Sequence, residues 1–99
     1  LPEMHVEVQG KGQAYRIRHV PVRLRSSLKA LAAEEEVTVI VRTDINDSVK
    51  VDGDQVKAEI DVRDYPAGDY QKWIRVQLPE RVHLVKVIPA MSKVSVQAP

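Results

Sequence analysis

The fold is decided by a stretch in the second half of the chain, residues 56–62, which reads Val-Lys-Ala-Glu-Ile-Asp-Val. Its even-numbered residues are apolar and its odd-numbered residues are charged, as a β-strand with one buried and one solvated face requires. The next stretch, residues 64–69, reads Asp-Tyr-Pro-Ala-Gly-Asp, and its proline and glycine favour a reversal of the chain. Residues 70–78 then resume the alternation, which predicts the antiparallel partner of the first strand.

The same two-residue period recurs toward the amino terminus. Residues 4–9 alternate apolar and polar side chains, and a glycine-rich turn separates them from residues 15–18, so we predict a β-hairpin. Residues 20–25 form a further candidate strand. Because Pro21 has no N–H for a ladder, we expect this strand to lie at a sheet edge or to begin at the proline. Residues 37–42 are almost continuously apolar, which is typical of a central strand covered on both faces.

The carboxyl-terminal part also favours strands. In residues 82–88 the alternation shifts between Leu84 and Val85, which indicates a β-bulge, and residues 94–96 form a last strand. Two segments leave the choice of structure open. Residues 27–36 have high helix propensity but a short apolar stripe, so a helix and extended chain are both compatible. Residues 44–55 are polar and suit a helical turn or a long loop, with Ile45, Val49 and Val51 placed to enter the core.

Length and composition bound the architecture. The chain has 99 residues, which is one ordinary domain, and it has no cysteine, so packing must stabilise it. We therefore predict a single all-β domain over residues 1–99. We expect a small sandwich-like or cradle-like pair of sheets, with about seven or eight strands and at most one or two short helical turns. The first residue is Leu1, and we expect the domain to have been excised from a longer protein.

The local signatures of catalysis are missing from the sequence. It has no phosphate-binding glycine loop, no GxSxG elbow and no HExxH motif. The three histidines, His5, His19 and His83, are far apart, and each falls on the polar face of a predicted strand. We therefore expect no enzymatic activity, no catalytic residue, no cofactor and no metal site.

The candidate interaction residues are mostly arginines. The basic cluster of the sequence consists of Arg16, Arg18, His19, Arg23 and Arg25, with Lys29 beyond. The alternation places Arg16 and Arg18 on one face. A contact with phosphate or a lipid headgroup is one interpretation; the favoured one is an edge strand whose charges block aggregation. No aromatic residue interleaves with them, and 15 basic residues nearly balance 14 acidic ones, so we expect no nucleic-acid partner.

Trp73, the single tryptophan, completes this candidate surface together with Arg75. It falls on the predicted polar side of its strand beside Arg75, where an exposed tryptophan is a common binding anchor. The favoured interpretation is nevertheless that residues 44–55 cover it and make it part of the core.

The elements follow an order that is similar to a known family. They read Val-Thr-Val-Ile-Val (37–41), Val-Lys-Ala-Glu-Ile-Asp-Val (56–62), Ala-Gly-Asp-Tyr (67–70), Val-Gln-Leu-Pro (76–79), Val-His-Leu (82–84), Pro89 and Val-Ser-Val (94–96), with Val-Pro-Val (20–22) as a possible opening strand. This order and spacing resemble a YbbR-like domain, a bacterial repeat module. The chain departs from the family at Thr43, where a glycine is common.

The resemblance implies a function. Such domains occur in tandem in proteins anchored by one amino-terminal transmembrane helix, at the extracytoplasmic face of the bacterial cell membrane. These proteins regulate a membrane diadenylate cyclase, which makes cyclic di-AMP. The implied role is a non-catalytic regulatory module, soluble as a fragment, whose protein partner is the cyclase or a sister repeat. The alternatives are a structural spacer repeat of a bacterial surface protein and, less favoured, a basic β module that contacts RNA.

Overall fold

The computed structural model describes residues 3–9, 12–44 and 51–99. They form nine strands: β1 (Glu3–Gln9), β2 (Gly12–Arg25), β3 (Ala30–Ala32), β4 (Glu36–Asp44), β5 (Lys57–Asp61), β6 (Gly68–Trp73), β7 (Arg75–Gln77), β8 (His83–Ile88) and β9 (Met91–Val96). One short 3-10 turn, Gly53–Gln55, is the helical element of these residues. The prediction of an all-β fold with two sheets is confirmed.

The larger sheet is built around the long strand β2. Five of its strands follow the order β7-β5-β2-β4-β8. The sixth strand, β1, also pairs with β2, which therefore has three partner strands. The first part of β2 lies between β1 and β4, and its last residues pair with β5, so β1 and β5 share one edge of β2 in succession. The β2–β5 pair is parallel and the other described pairs of this sheet are antiparallel. The predicted β1–β2 hairpin is confirmed.

The smaller sheet has the order β3-β9-β6 and supplies the second layer. Alternate side chains of β9 are buried, and they join the buried side chains of the larger sheet in one core cluster. The fully buried members of this core are Ile17, Ile60, Val20, Val39, Val41, Val62 and Val94. Each contributes roughly 1.5–3 kcal/mol on burial, and β-branched side chains of this kind pack well on a pleated surface.

The predicted partner of residues 56–62 is only partly correct. The antiparallel partner of β5 is the short strand β7, whereas β6 pairs with β9 in the other sheet. The continuous alternation over residues 70–78 therefore belongs to two strands in two sheets. Ile74 lies between them and is buried, and its N–H donates to the Ala90 carbonyl at 2.9 Å.

The expected edge position of residues 20–25 is wrong. This part of β2 lies inside the larger sheet, where Pro21 is opposite Glu36 of β4 and Val22 is opposite Ala58 of β5. The strand also does not begin at the proline, because β2 runs from Gly12.

The backbone directions explain why Pro21 is accepted there. The Val22 N–H donates to the Glu35 carbonyl on the β4 side of β2. On the opposite side, the Arg25 carbonyl accepts a hydrogen bond from the N–H of Val62, the residue after β5. Because successive residues of a strand point their backbone groups to alternate sides, the Pro21 nitrogen faces the side of β1 and β5. There the β1 pairing ends at Arg18 and the β5 pairing begins at Val22. The missing N–H of Pro21 falls in this gap.

Two irregularities shape the larger sheet. The register between β2 and β4 shifts between Ile17 and Val20, and His19 adopts a left-handed backbone with φ of 58°. The register between β4 and β8 shifts at Val85, which confirms the predicted bulge. As predicted, β4 is central, between β2 and β8. Its outer face is less covered than expected, because Thr38 and Ile40 are only half-buried.

The two segments left open by the sequence differ: residues 27–36 contain a short strand, and residues 44–55 contain the 3-10 turn, a helical turn as one of the two alternatives had it. Within residues 27–36 the chain forms β3, with Ala30 and Ala32 facing the core and Leu31 exposed. Within residues 51–55, Val51 is buried and the Asp52 carboxylate accepts a hydrogen bond from the Asp54 N–H to cap the 3-10 turn. The predictions for Ile45 and Val49 lie outside the described residues.

Candidate interaction surfaces

The predicted surface residues lie on two different sheets. Arg16, Arg18, Arg23 and Arg25 lie along β2, and Arg75 lies on β7 two strands away. We call these five residues the arginine face. Core residues such as Ile17 and Val20 alternate with them, so the arginines lie on the side of β2 that faces away from the smaller sheet. Trp73 belongs to β6 in the smaller sheet and is not part of this face.

Carboxylates interrupt the carboxyl-terminal half of the arginine face. Glu59 of β5 lies in register between Arg23 and Arg75. Arg25 Nε lies 3.0 Å from Glu59 Oε2, so the two side chains form an ion pair. The Arg25 Nε–H group does not form a hydrogen bond. Because the Glu59 carboxylate pairs with Arg25 and lies in register with two further arginines, this half of the face has mixed charge. It is therefore not a continuous cationic surface.

The next carboxylate, Asp61, is engaged by Arg63. Arg63 Nη2 donates to Asp61 Oδ2 at 2.8 Å, and the Arg63 backbone N–H donates to Asp61 Oδ1 at 3.1 Å. The side-chain hydrogen bond from Arg63, helped by this backbone bond, lowers the pKa of Asp61 to about 2. The same pair raises the pKa of Arg63. The Asp61 carboxylate is thus hydrogen-bonded to Arg63 and stays ionised near neutral pH, so it does not exchange a proton there.

Trp73 is highly exposed, and the expectation that residues 44–55 cover it is wrong. Its side chain is 66% exposed, on the outer face of β6 opposite Met91 of β9. Trp73 and Arg75 also do not share one strand face, as the prediction had it, because Ile74 takes the chain from one sheet to the other. The tryptophan is therefore a surface residue of the smaller sheet.

Trp73 stands at one end of a shallow surface that we call the tryptophan face, made of Leu31, Trp73, Met91 and Lys93. Leu31 of β3 is also largely exposed. A groove of about 610 Å³ runs between Leu31 and Gln71 over β9. Trp73 lies one register step beyond this groove, since Gln71 is opposite Lys93 and Trp73 is opposite Met91. Sequence reasoning singled out Trp73 but missed Leu31, whose segment gave an ambiguous helix signal.

A separate aromatic cluster supports the turn that leads into β6. The Tyr65 and Tyr70 rings meet edge to face with centroids 4.9 Å apart, and the Tyr70 hydroxyl donates to the Pro66 carbonyl at 2.6 Å. The Lys72 ammonium lies 4.4 Å from the centre of the Tyr65 ring and contacts its hydroxyl. These contacts account for the half-buried state of all three side chains, so the cluster is structural.

The described histidines each contact a carboxylate of β4. His19 Nδ1 lies 3.0 Å from Glu36 Oε2, and His83 Nε2 lies 3.5 Å from Asp44 Oδ2. His5 belongs to β1, and its side chain lies outside the described part of the structure. Within the described ranges no three His, Asp or Glu side chains come close enough to hold a metal ion.

The fold and these surfaces define a class, a two-sheet all-β domain with an exposed tryptophan on the smaller sheet. No family model, no curated protein and no solved structure matches the chain. Nor does any helix of the described ranges have the length and apolarity to cross a membrane.

Proposed function

We propose that this chain is a non-catalytic protein-interaction module that binds through the tryptophan face. The observation that supports it is the exposure of Trp73 beside Met91 and the groove over β9. Tryptophan is the residue type most enriched at binding hot spots, because a large rigid side chain buries much area at little entropic cost. A structural spacer has no need of an exposed tryptophan on a sheet face.

The finer proposal is the role that the YbbR-like resemblance implies. The parent would be a membrane-anchored regulator of a diadenylate cyclase, with this module at the extracytoplasmic face of the membrane. The segments that carry the resemblance overlap β4, β5, β6, β7, β8 and β9 in chain order, and this order is what motivates the finer proposal. The proposed partner is an extracytoplasmic segment of the cyclase or a sister repeat.

The binding test uses Trp73 as its own probe, because it is the single tryptophan of the chain. The chain is titrated with extracytoplasmic segments of a membrane diadenylate cyclase, with a second copy of itself and with peptidoglycan fragments, while tryptophan emission is recorded. A saturable blue shift with a protein partner is expected. Unchanged emission and no binding by calorimetry with all three would overturn the proposal in favour of a spacer.

A matched pair of variants tests the surface. Trp73→Ala should weaken binding at least about tenfold, as truncation of a hot-spot residue does. Arg75→Ala, two positions along the chain but on the other sheet, should leave affinity unchanged. If Arg75→Ala weakened binding and Trp73→Ala did not, the binding site would lie on the arginine face instead. For the regulatory role, residues 1–99 are deleted from the parent protein and cyclic di-AMP is measured in cells; an unchanged level would exclude it.

A further inference from the structure

The last strand of the larger sheet, β8, has an unusual surface for an edge. Among the described residues it pairs with β4 alone, so one side of its backbone faces away from the sheet. Three of its side chains are large, apolar and about half exposed: Leu84 at 48%, Val85 at 54% and Ile88 at 44%. An open strand edge with apolar side chains is a template for another strand.

The register explains why Leu84 is exposed. Leu84 is opposite Val41, so both belong to the core face, yet Val41 is fully buried and Leu84 is not. Since a strand lies on each side of Val41 but only on one side of Leu84, Leu84 lacks its second neighbour. A strand added beside β8 would supply that neighbour and would extend the core face of the sheet.

Three of the other strand edges are poorer templates. The end strand β7 and the end strand β3 have three residues each. The edge strand β6 has six, but it reads Gly-Asp-Tyr-Gln-Lys-Trp, and its core-facing Tyr70 and Lys72 are already held by the aromatic cluster. The length and the apolar side chains of β8 distinguish it from these three edges.

The outer face near β8 is cationic. Arg16, Ile40 and Lys86 lie in one cross-strand row, and Arg42 and His83 form the next pair. Asp44 contacts both Arg42 and His83, whereas neither Arg16 nor Lys86 has a carboxylate partner among the described residues. Acidic side chains on the outer face of an added strand would therefore be favoured. A symmetric pair of two β8 strands would bring like charges at Lys86 together, which disfavours a second copy of the chain.

We infer that β8 is a docking edge for an extended segment of a partner protein, in which apolar residues alternate with acidic ones. The partner segment adds as a further strand of the larger sheet, with its apolar side chains beside Leu84 and its acidic side chains beside Lys86. Backbone hydrogen bonds supply affinity and the two rows of side chains supply selectivity. This site is separate from the tryptophan face and does not depend on the cyclase proposal.

Two synthetic peptides of about seven residues, a typical strand length, test the inference. One alternates valine with glutamate, and its companion alternates valine with lysine. Binding to the isotope-labelled chain is followed by amide chemical shifts and hydrogen exchange. The glutamate peptide should shift the amide signals of His83–Ile88 and slow their exchange. The lysine peptide should bind about three- to tenfold more weakly, as expected when cross-strand charges repel.

Charge-reversal variants provide the control. Lys86→Glu should invert the preference between the two peptides, while Lys29→Glu, an exposed change just before β3, should leave it unchanged. Equal binding of both peptides by the Lys86→Glu variant would overturn the inference, and so would signal changes confined to β6 or β3. Exchange protection of β8 that rises with protein concentration without peptide would replace the proposed partner by a second copy of the chain.

Discussion

Trp73 and Arg75 are separated by one residue, yet they lie on the solvent faces of different sheets. The link is Ile74, whose side chain is buried and whose N–H donates to the Ala90 carbonyl at 2.9 Å. On one side of Ile74 the chain pairs with β9, and on the other side it pairs with β5. The crossing between the two layers of the domain is therefore made by a single buried residue.

This arrangement predicts very different costs for neighbouring substitutions. Ile74→Ala should lower the free energy of unfolding by about 2–4 kcal/mol, because it removes buried methyl groups and leaves a cavity between the sheets. Trp73→Ala should change it by less than about 1 kcal/mol, because most of that side chain is already in water. Urea unfolding followed by circular dichroism measures both. Equal losses in the two variants would show that Trp73 also packs in solution.

The Asp61–Arg63 pair predicts a pH dependence of stability. The pKa of Asp61 is about 2 in the folded chain and 3.8 without the pair, so the unfolded chain binds the proton more readily. The stabilisation is therefore complete above about pH 4 and is lost as the pH falls through about 2. In the Arg63→Gln variant the pKa of Asp61 should move back toward 3.8.

Carboxyl chemical shifts recorded against pH report the Asp61 midpoint directly. The stability difference between the Arg63→Gln variant and the original chain should shrink over the same pH range. Arg75→Gln serves as the control, since Arg75 lies on β7 and is not a partner of Asp61. A midpoint near 3.8 in the original chain would contradict the structure at this pair.

The bulge in β2 predicts which substitutions of His19 destabilise the fold. His19 has φ of 58°, a left-handed conformation that glycine adopts freely and a β-branched residue resists. His19→Val should be less stable than His19→Gly by at least about 1 kcal/mol. Both variants lose the contact with Glu36, so that contribution cancels in the comparison. Denaturant midpoints measure the difference, and equal midpoints would mean that the bulge is absent in solution.

Local features of the fold could be predicted because they follow from local physics. The alternation in residues 56–62 placed Val56, Ala58, Ile60 and Val62 on one face, and all four are buried. Two adjacent apolar residues, Leu84 and Val85, marked the bulge because a strict alternation cannot place both on the core face. These signals need no knowledge of which strands are neighbours.

Strand pairing and exposure could not be predicted in this way. The alternation runs without a phase change from Tyr70 to Leu78, so nothing local marks the crossing at Ile74. The exposure of Trp73 and Leu84 depends on which strand is at an edge and what covers each sheet, and both are set by contacts between distant segments. For the same reason, the sequence suggested the arginine face but not the carboxylate of Glu59 that interrupts it.

Pro21 offers the sharpest test of the sheet order. Its nitrogen faces the gap between β1 and β5, beside a cavity of about 500 Å³ that Gly53 and Val56 also line. Pro21→Val should lower stability by no more than about 1 kcal/mol, the usual effect of a more flexible unfolded chain, because no ladder bond is gained or lost. The N–H introduced at position 21 should exchange rapidly with solvent.

The matched control is Val22→Pro, one residue further along β2. It removes the N–H that donates to the Glu35 carbonyl at 2.8 Å. The hydrogen bond between β2 and the residue before β4 is then lost, and the Glu35 carbonyl loses its donor. This variant should therefore be at least about 2 kcal/mol less stable than Pro21→Val. Hydrogen exchange in the Pro21→Val variant completes the comparison. The amide at position 21 should exchange rapidly with solvent, and the amide of Val22 should be protected from exchange. Protection at both positions would mean that another strand pairs with β2 at Pro21, and the order of the larger sheet would have to be revised.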